Sequence, residues 1–254
     1  MTDTHEQTSS DNALIVLEKI KQKGYIRPAE ASQYYQKVNH IVTNFLAATP
    51  INPQDTAQCM QLLTDIGRNT DTFFSLSSFQ NIIFDLYEQT TVANDDFIRN
   101  RATTKLLSFF SNVSPNSIEQ KNKLLNIIQG LPDIKKRGSE ISRVVFQIAN
   151  HYDKNQQFNE DPDLSVLKNM SNILHQISVP IPGRTRSNGN VSEAQERFQS
   201  CAAFVKTYAP ELYDTSWEGK FHPRHKNYSP TFLIKEPVDI FSTRGRMQKS
   251  VFLD

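Results

Sequence analysis

The sequence contains little cysteine, little glycine and almost no net charge, and each shortage narrows the range of functions. Two cysteines, Cys59 and Cys201, stand far apart in a chain of 254 residues and belong to no CxxC pair. A secreted disulfide scaffold normally carries more cysteines, so we expect both to be small buried hydrophobic side chains. The formal charge of +1 gives no chain-wide field that would steer the protein to nucleic acid or anionic lipid.

Long hydrophobic runs are also missing from the sequence. No stretch approaches the roughly 18 consecutive apolar residues that cross a bilayer as a helix. The first twelve residues, MTDTHEQTSSDN, are polar and lack the apolar segment of a secretory signal peptide. We therefore expect a protein that does not insert into membranes and resides in the cytoplasm, although delivery by a non-classical secretion route would also fit the sequence.

The sequence lacks the motifs that carry catalytic chemistry or bind cofactors. Only 8 glycines occur, and none forms a Walker A loop, a GxGxxG turn or a GxSxG nucleophile elbow. His222 and His225 are three residues apart, but a proline lies between them and no nearby cysteine completes a zinc site. The stretch from Asp153 begins like a calcium loop, yet Phe158 replaces its glycine and Leu164 its bidentate glutamate. We predict no catalytic residue, no cofactor and no metal.

Apolar residues recur instead at the spacing of an α-helix. The clearest stripe covers three helical turns, and its members, at offsets of 0, 4, 7 and 11, are Tyr34, Val38, Ile41 and Phe45. The same period returns along the chain and predicts eight or nine amphipathic helices. Two further stripes consist of Phe79, Ile82, Ile83, Leu86 and Tyr87, and of Ile141, Val144, Val145, Ile148 and Tyr152.

Turn and cap residues mark the expected ends of these helices. Gly24 predicts a left-handed stop after the first helix, and Gly67 and Gly130 predict two further ends. An N-cap residue followed by proline recurs along the chain and marks the start of a helix. The side-chain oxygen of the cap accepts a hydrogen bond from a free backbone N–H, and proline fixes φ at a helical value. The predicted starts are Asp11, Pro28, Asn52-Pro53, Asn94-Asp95-Asp96, Ser114-Pro115, Lys135-Lys136-Arg137, Asp161-Pro162 and a capping box of Ser192 and Gln195.

The predicted fold is all-α: an irregular stack of antiparallel helical hairpins, loosely like an α-solenoid, with an irregular C-terminal tail. Short connections make consecutive helices antiparallel, so the hairpin is the building unit. The arrangement resembles HEAT and armadillo repeats in architecture, although no regular period or shared motif accompanies it. We expect a disordered N-terminus over residues 1–10, a helical-hairpin domain over 11–178 and a loop over 179–191. Residues 192–254 should form a final helix followed by an aromatic, proline-containing tail that packs on the helical domain.

The loop and the tail combine basic and aromatic residues. Between Trp217 and Asp254, seven lysines and arginines minus four acidic residues leave a local charge of +3. Arginine and aromatic side chains are favoured anchors in protein interfaces, and aromatics interleaved with cations also bind single-stranded nucleic acid. The candidate partner-binding residues are Arg184, Arg186, Trp217, Phe221, His222, Arg224, His225, Arg244 and Arg246.

These observations rank three functions. The first is a non-enzymatic helical adaptor or scaffold that binds a protein partner, as a subunit of a larger complex. The second is an enzyme whose site assembles from scattered residues near the C-terminal tail, since catalytic groups favour loops on rigid scaffolds. The third is nucleic-acid binding through the basic, aromatic tail, which the nearly neutral chain makes less favourable than a protein partner.

Overall fold

The computed structural model describes residues 7–47, 52–68, 77–91, 95–177 and 193–217. Across these ranges the chain forms nine α-helices, three short 3₁₀ helices and no strand, which confirms the all-α prediction. The α-helices are α1 Gln7–Gln22, α2 Pro28–Ala47, α3 Pro53–Arg68, α4 Ser77–Thr91, α5 Asp96–Phe110, α6 Ile118–Gln129, α7 Gly138–Lys154, α8 Ser165–Gln176 and α9 Glu193–Tyr208, and the 3₁₀ helices are Ile134–Arg137, Gln157–Asn159 and Pro210–Leu212.

The chain divides into two compact units, Met1–Val113 and Ser114–Asp254. The division falls inside the region 11–178 that the sequence assigns to one helical domain. Helices α1 to α5 belong to the first unit and α6 to α9 to the second. Among the described residues, no helix combines the length and the apolar character that crossing a bilayer requires.

In the first unit, α3 packs against α1, α4 and α5. Lys21 Nζ lies 3.5 Å from Asp65 Oδ2, and these residues occupy the last turns of α1 and α3. Two helices that pack along their length and meet at the same ends run parallel, so α1 and α3 are parallel. Helix α2 packs on α1 and reaches α4 through a hydrogen bond between the hydroxyls of Tyr35 and Ser78.

In the second unit, the closest packing joins alternate helices, α6 with α8 and α7 with α9. Asn122 Nδ2 donates to Ser165 Oγ at 2.7 Å near the starts of α6 and α8. In the last turns of α7 and α9, the Tyr208 hydroxyl donates to Asp153 Oδ1 at 2.7 Å. Both pairs therefore run parallel. The 3₁₀ helix Pro210–Leu212 packs on α9 and α8.

The predicted apolar stripes form the cores of the two units. Every member of the stripes predicted for α4 and α7 is buried, and a buried Leu, Ile or Phe side chain contributes about 1.5–3 kcal/mol. In α2 the prediction is confirmed for Val38 and Phe45, which are buried, whereas Tyr34 and Ile41 are partly exposed. Val42 is fully buried in place of Ile41. Cys59 and Cys201 are buried and form no disulfide, as predicted.

The start of α6 differs from the prediction. Ser117, and not Ser114, caps this helix: the Ser117 hydroxyl accepts from the Gln120 backbone N–H at 3.1 Å, and the Gln120 side chain accepts from the Ser117 backbone at 3.4 Å. Ser114 is buried instead. The segment after it turns inward, and its carbonyl oxygens bind a lysine of α6, so it is not available to begin the helix.

The start of α8 also lies later than predicted. The helix begins at Ser165 and not at Pro162, and Leu164 before it adopts a left-handed conformation with φ of 51°. Asp161 nevertheless caps α8, because its carboxylate accepts from the backbone N–H groups of Ser165 at 2.9 Å and Val166 at 3.0 Å. Burial raises the pKa of Asp161, but these hydrogen bonds outweigh that effect and lower the pKa below its ordinary value.

Two other helix ends lie outside their predicted positions. Helix α1 begins at Gln7, four residues before Asp11, because residues 7–10 contain neither the proline nor the glycine that would interrupt it. Helix α3 continues through Gly67 to Arg68. A glycine weakens a helix interior but stops the helix only when it turns left-handed.

Three predicted boundary signals are confirmed. Gly24 follows α1 with a φ of +69°, the left-handed conformation expected of it. Asn52 Oδ1 accepts from the Gln54 backbone at 2.9 Å, and Pro53 is the first residue of α3. The Asp95 carboxylate caps α5. Ser192, predicted to cap the last helix, lies outside the described residues.

We predict opposite outcomes for two glycine substitutions. At Gly24 an added Cβ meets no atom within 4 Å, but the left-handed backbone penalises any other L-residue, so Gly24→Ala should lower the free energy of unfolding by roughly 1–2 kcal/mol. Gly130 has a right-handed φ of −79°, and a Cβ added there would make only ordinary contacts. Gly130→Ala should therefore change the free energy of unfolding by less than about 0.5 kcal/mol or raise it slightly. Urea unfolding followed by circular dichroism measures both, and equal losses would contradict the assigned backbone conformations.

Candidate functional site

Most of the partner-binding residues predicted from the sequence lie outside the described ranges, and the predictions made for them stand untested. These residues are Arg184, Arg186, Phe221, His222, Arg224, His225, Arg244 and Arg246.

Trp217 is the predicted contact residue that the structure describes, and it is buried. Only 2% of its surface is exposed. Its ring lies 4.9 Å from that of His175, 5.4 Å from Tyr213 and 6.2 Å from Phe198, measured between centroids. Among the described residues, its indole N–H meets no hydrogen-bond acceptor. Trp217 therefore belongs to an aromatic cluster of the second unit, and its contact with a partner stays a prediction.

A histidine–aspartate pair lies beside this tryptophan. His175 Nδ1 is 3.2 Å from Asp214 Oδ2, and both side chains are partly exposed. One turn earlier on α8, the Ser171 hydroxyl donates to the carbonyl of Leu212 at 3.0 Å, so it is directed at the backbone and not at the histidine. Both contacts attach residues 212–217 to α8. Their geometry is that of a structural clamp.

The most unusual ionisable group is Lys121, which is completely buried on α6. Its Nζ donates to the carbonyl oxygens of Pro115 at 2.5 Å and Asn116 at 3.0 Å. The Gln157 side chain donates to the same Asn116 carbonyl at 2.8 Å. The segment 115–116 is thus held by a lysine from α6 and an amide from the turn after α7.

Burial changes the proton affinity of this cluster. It lowers the pKa of Lys121 to about 7, although the carboxylate of Glu160 acts in the opposite direction. Burial, together with the positive charge of Lys121, lowers the pKa of His151 to about 4. Strongly shifted groups are candidates for catalysis. A lysine nucleophile must reach its substrate, however, and the Lys121 amine is enclosed and bound to two carbonyl oxygens.

The backbone around this cluster is also unusual. Gln156 has a φ of 51°, and the side chain of Gln157 next to it is buried. Residues with side chains adopt this left-handed region only where the surrounding structure demands it. Within the described ranges, no three histidine, cysteine, aspartate or glutamate side chains are placed to hold a metal ion. The cluster is best explained as an anchor for two loops.

Large apolar side chains at the surface form the second kind of candidate. Tyr25, between α1 and α2, and Phe97, in the first turn of α5, are each 74% exposed. In the sequence, Lys23 and Arg27 flank the tyrosine, whereas two aspartates directly precede the phenylalanine and Arg101 follows it by one helical turn. Aromatic and arginine side chains are enriched in protein interfaces, so both positions are candidates for contact with a partner.

The sequence contained signals for both candidates. Lys121 stands four residues before Leu125 and seven before Ile128, so it occupies a position on the apolar stripe of α6. Tyr25 directly follows the left-handed Gly24 and belongs to no stripe, which is the position of a side chain directed at solvent.

We predict that Lys121→Met reduces the pH dependence of stability. In the unfolded chain this lysine is protonated below about pH 10.5, whereas in the folded chain it is protonated only below about pH 7. Between these two pH values the unfolded state therefore holds more protons than the folded state. The free energy of unfolding of the wild type should therefore rise with pH relative to that of Lys121→Met in this window, by at most about 1.4 kcal/mol per pH unit from this residue.

The measurement is urea unfolding at several pH values between 7 and about 9.5, below the range in which tyrosines titrate. Lys123→Met, on the same helix but at a partly exposed position, is the matched control and should keep the wild-type slope. Identical slopes for the wild type and Lys121→Met would contradict the buried position of the amine.

We predict that Trp217, the single tryptophan of the chain, is shielded from solvent. Its fluorescence should be shifted to the blue and should be quenched weakly by acrylamide, because the ring is almost fully buried. The matched control is a Trp217→Phe/Phe97→Trp variant, which reports from a position that is 74% exposed. Equal quenching of the two proteins would contradict the placement of Trp217.

Comparisons of the chain with protein-family models, with curated proteins and with solved structures find no match. The function of the protein is therefore inferred from the packing, the charges and the surfaces of the described residues.

Proposed function

We propose that the chain is a non-enzymatic helical adaptor that binds a protein partner in the cytoplasm, as a subunit of a larger complex. The observation that carries this proposal is the close, parallel packing of alternate helices: α1 with α3, α6 with α8, and α7 with α9. Helical hairpins stacked one on the next bring alternate helices together in this way, and such stacks typically present extended surfaces to proteins.

The ionisable groups inside the second unit support the same proposal. The amine of Lys121 and the carboxylate of Asp161 are both occupied by backbone groups, which they hold in place. The His175–Asp214 pair attaches the end of the described chain to α8. Each of these contacts stabilises the scaffold, and none presents a reactive atom toward an open site. These contacts support a scaffold, while the candidate residues of an enzyme site near the tail lie outside the described residues.

The exposed aromatics indicate where a partner would bind. A large apolar side chain at the surface gains free energy when a partner removes it from water, and aromatic residues are enriched among the contacts that dominate binding. Tyr25 and Phe97 are the most exposed large apolar side chains among the described residues. Both belong to the first unit, which we propose as a binding surface.

The proposal is tested by affinity capture from an extract of the cells that make the protein. We predict that the wild type retains a protein at near-equal molar ratio, and that Tyr25→Ser/Phe97→Ser retains it at least about tenfold less strongly, a change of about 1.4 kcal/mol. Both substituted side chains project into solvent, so the fold should persist, which circular dichroism verifies.

The matched control is Lys135→Ser/Lys136→Ser, which alters two exposed residues of the second unit. It should retain the partner like the wild type. The adaptor proposal is wrong if the wild type retains no protein in near-equal molar ratio, or if the aromatic variant and the control retain it equally well.

A further inference from the structure

The turn that connects α1 to α2 is rich in positive charge. We call residues 19–27, with the sequence KIKQKGYIR, the basic turn. It contains Lys19, Lys21, Lys23 and Arg27 and no acidic residue; the nearest acidic residues are Glu18 before it and Glu30 after it.

Some of these charges are used within the protein and others face solvent. Lys21 pairs with Glu18 at 3.6 Å and with Asp65 at 3.5 Å, so it belongs to the packing of α1 on α3. Lys19 and Arg27 are exposed. The charges of these two side chains are therefore available to a partner.

Lys23 is both bonded within the protein and exposed to solvent. Its Nζ donates to the Tyr34 hydroxyl at 2.5 Å and lies 5.1 Å from the centroid of that ring, yet the residue remains exposed. The hydrogen bond to Tyr34 raises the pKa of Lys23, so the ammonium keeps its charge at neutral pH. The contact also fixes the position of the charge, which lowers the entropy that a partner would have to remove.

The turn holds Tyr25 in an outward position. Gly24 reverses the chain in a left-handed conformation, and its N–H donates to the Lys21 carbonyl at 3.0 Å. Ile26, directly after the tyrosine, is only 4% exposed and anchors the turn from the inside. The tyrosine between these two fixed residues is 74% exposed. The ring is thus exposed between two backbone anchors, and Lys23 and Arg27 stand two residues before and after it in the sequence.

We propose that the basic turn binds an acidic segment of a protein partner, with the Tyr25 ring as its apolar anchor and Lys19, Lys23 and Arg27 facing carboxylates. This inference rests on the proposed adaptor function and specifies the chemistry of the partner. Opposite charge supplies selectivity and a fast encounter, and the aromatic ring supplies the desolvated contact.

A protein segment fits this surface better than a nucleic acid does. Phosphate backbones need a positive tract along several consecutive phosphates, usually with more than one stacking ring. Here the positive stretch is short, and the exposed carboxylate of Glu30 would repel a phosphate chain that continued past Arg27. A short run of acidic side chains can place its charges on the three cations and end before that carboxylate.

The test uses fluorescence anisotropy with the full chain and defined probes. The principal probe is a short fluorescein-labelled peptide of aspartate and glutamate with two phenylalanines. The comparison probes are the same peptide with lysine in place of each acid, an oligothymidine of similar length, and vesicles of phosphatidylcholine and phosphatidylserine. We predict that the wild type binds the acidic peptide most tightly, and that binding weakens as ionic strength rises.

Two variants separate the roles of charge and ring. Lys19→Ser/Arg27→Ser should weaken binding of the acidic peptide at least tenfold, and Tyr25→Ser should weaken it without removing its dependence on salt. Lys135→Ser/Lys136→Ser removes the same number of exposed charges elsewhere and should bind like the wild type. The inference is overturned by absence of binding to the acidic peptide, by an equal loss in the control variant, or by tighter binding of oligothymidine or vesicles.

Failure of this inference is distinguishable from failure of the adaptor proposal. In the capture experiment described above, Lys19→Ser/Arg27→Ser should lose the partner together with Tyr25→Ser/Phe97→Ser. If the aromatic variant loses the partner and the charge variant keeps it, the adaptor function stands and the acidic segment is wrong.

Discussion

Alternate helices of this chain bury their apolar stripes against each other, and the other features of both units depend on that packing. In the first unit α3 joins α1 and α5, and in the second unit α6 joins α8 while α7 joins α9. Burial of apolar area is the dominant favourable term in folding, so a helix with a wide apolar stripe needs neighbours beyond its own hairpin. The face that remains exposed after this packing is the surface on which a partner can bind.

Polar side chains fix the register of this packing. Asn122 bonds to Ser165 and Asn169 across α6 and α8, and the buried lysine of α6 holds the segment before that helix. Buried polar groups are tolerated when they are paired. A paired network is compatible with one register of the helices but not with registers in which one helix is shifted along the other. The ionisable groups of the interior thus stabilise the structure, whereas Lys19, Lys23 and Arg27 of the basic turn remain at the surface. This separation is the physical basis of the adaptor proposal.

Much of the fold was predictable from the sequence because helical periodicity is a local signal. The stripes of α4 and α7 gave the buried residues correctly, and Gly24 and Asn52 marked true boundaries. The starts of α6 and α8 were placed too early, because a cap residue before proline has the same sequence whether the chain turns inward or begins a helix. Which helices pack together, and therefore which side chains stay exposed, depends on contacts between distant segments. The exposed Tyr25 and the buried Lys121 were not predicted, although the position of each relative to the apolar stripes was a local signal.

The parallel packing of alternate helices is tested most directly by zero-length carbodiimide crosslinking of the native chain, followed by peptide mapping. The reagent joins an amine to a carboxylate only when the two groups are in contact. The structure predicts a crosslink between Lys21 and Asp65, with Lys21 to Glu18 in the same helix as the internal positive control. Asp55 is in the first turn of α3, about 15 Å along the helix from Asp65, and should not react with Lys21. A crosslink from Lys21 to Asp55 in place of Asp65 would show that α1 and α3 are antiparallel and would contradict the packing described for this protein.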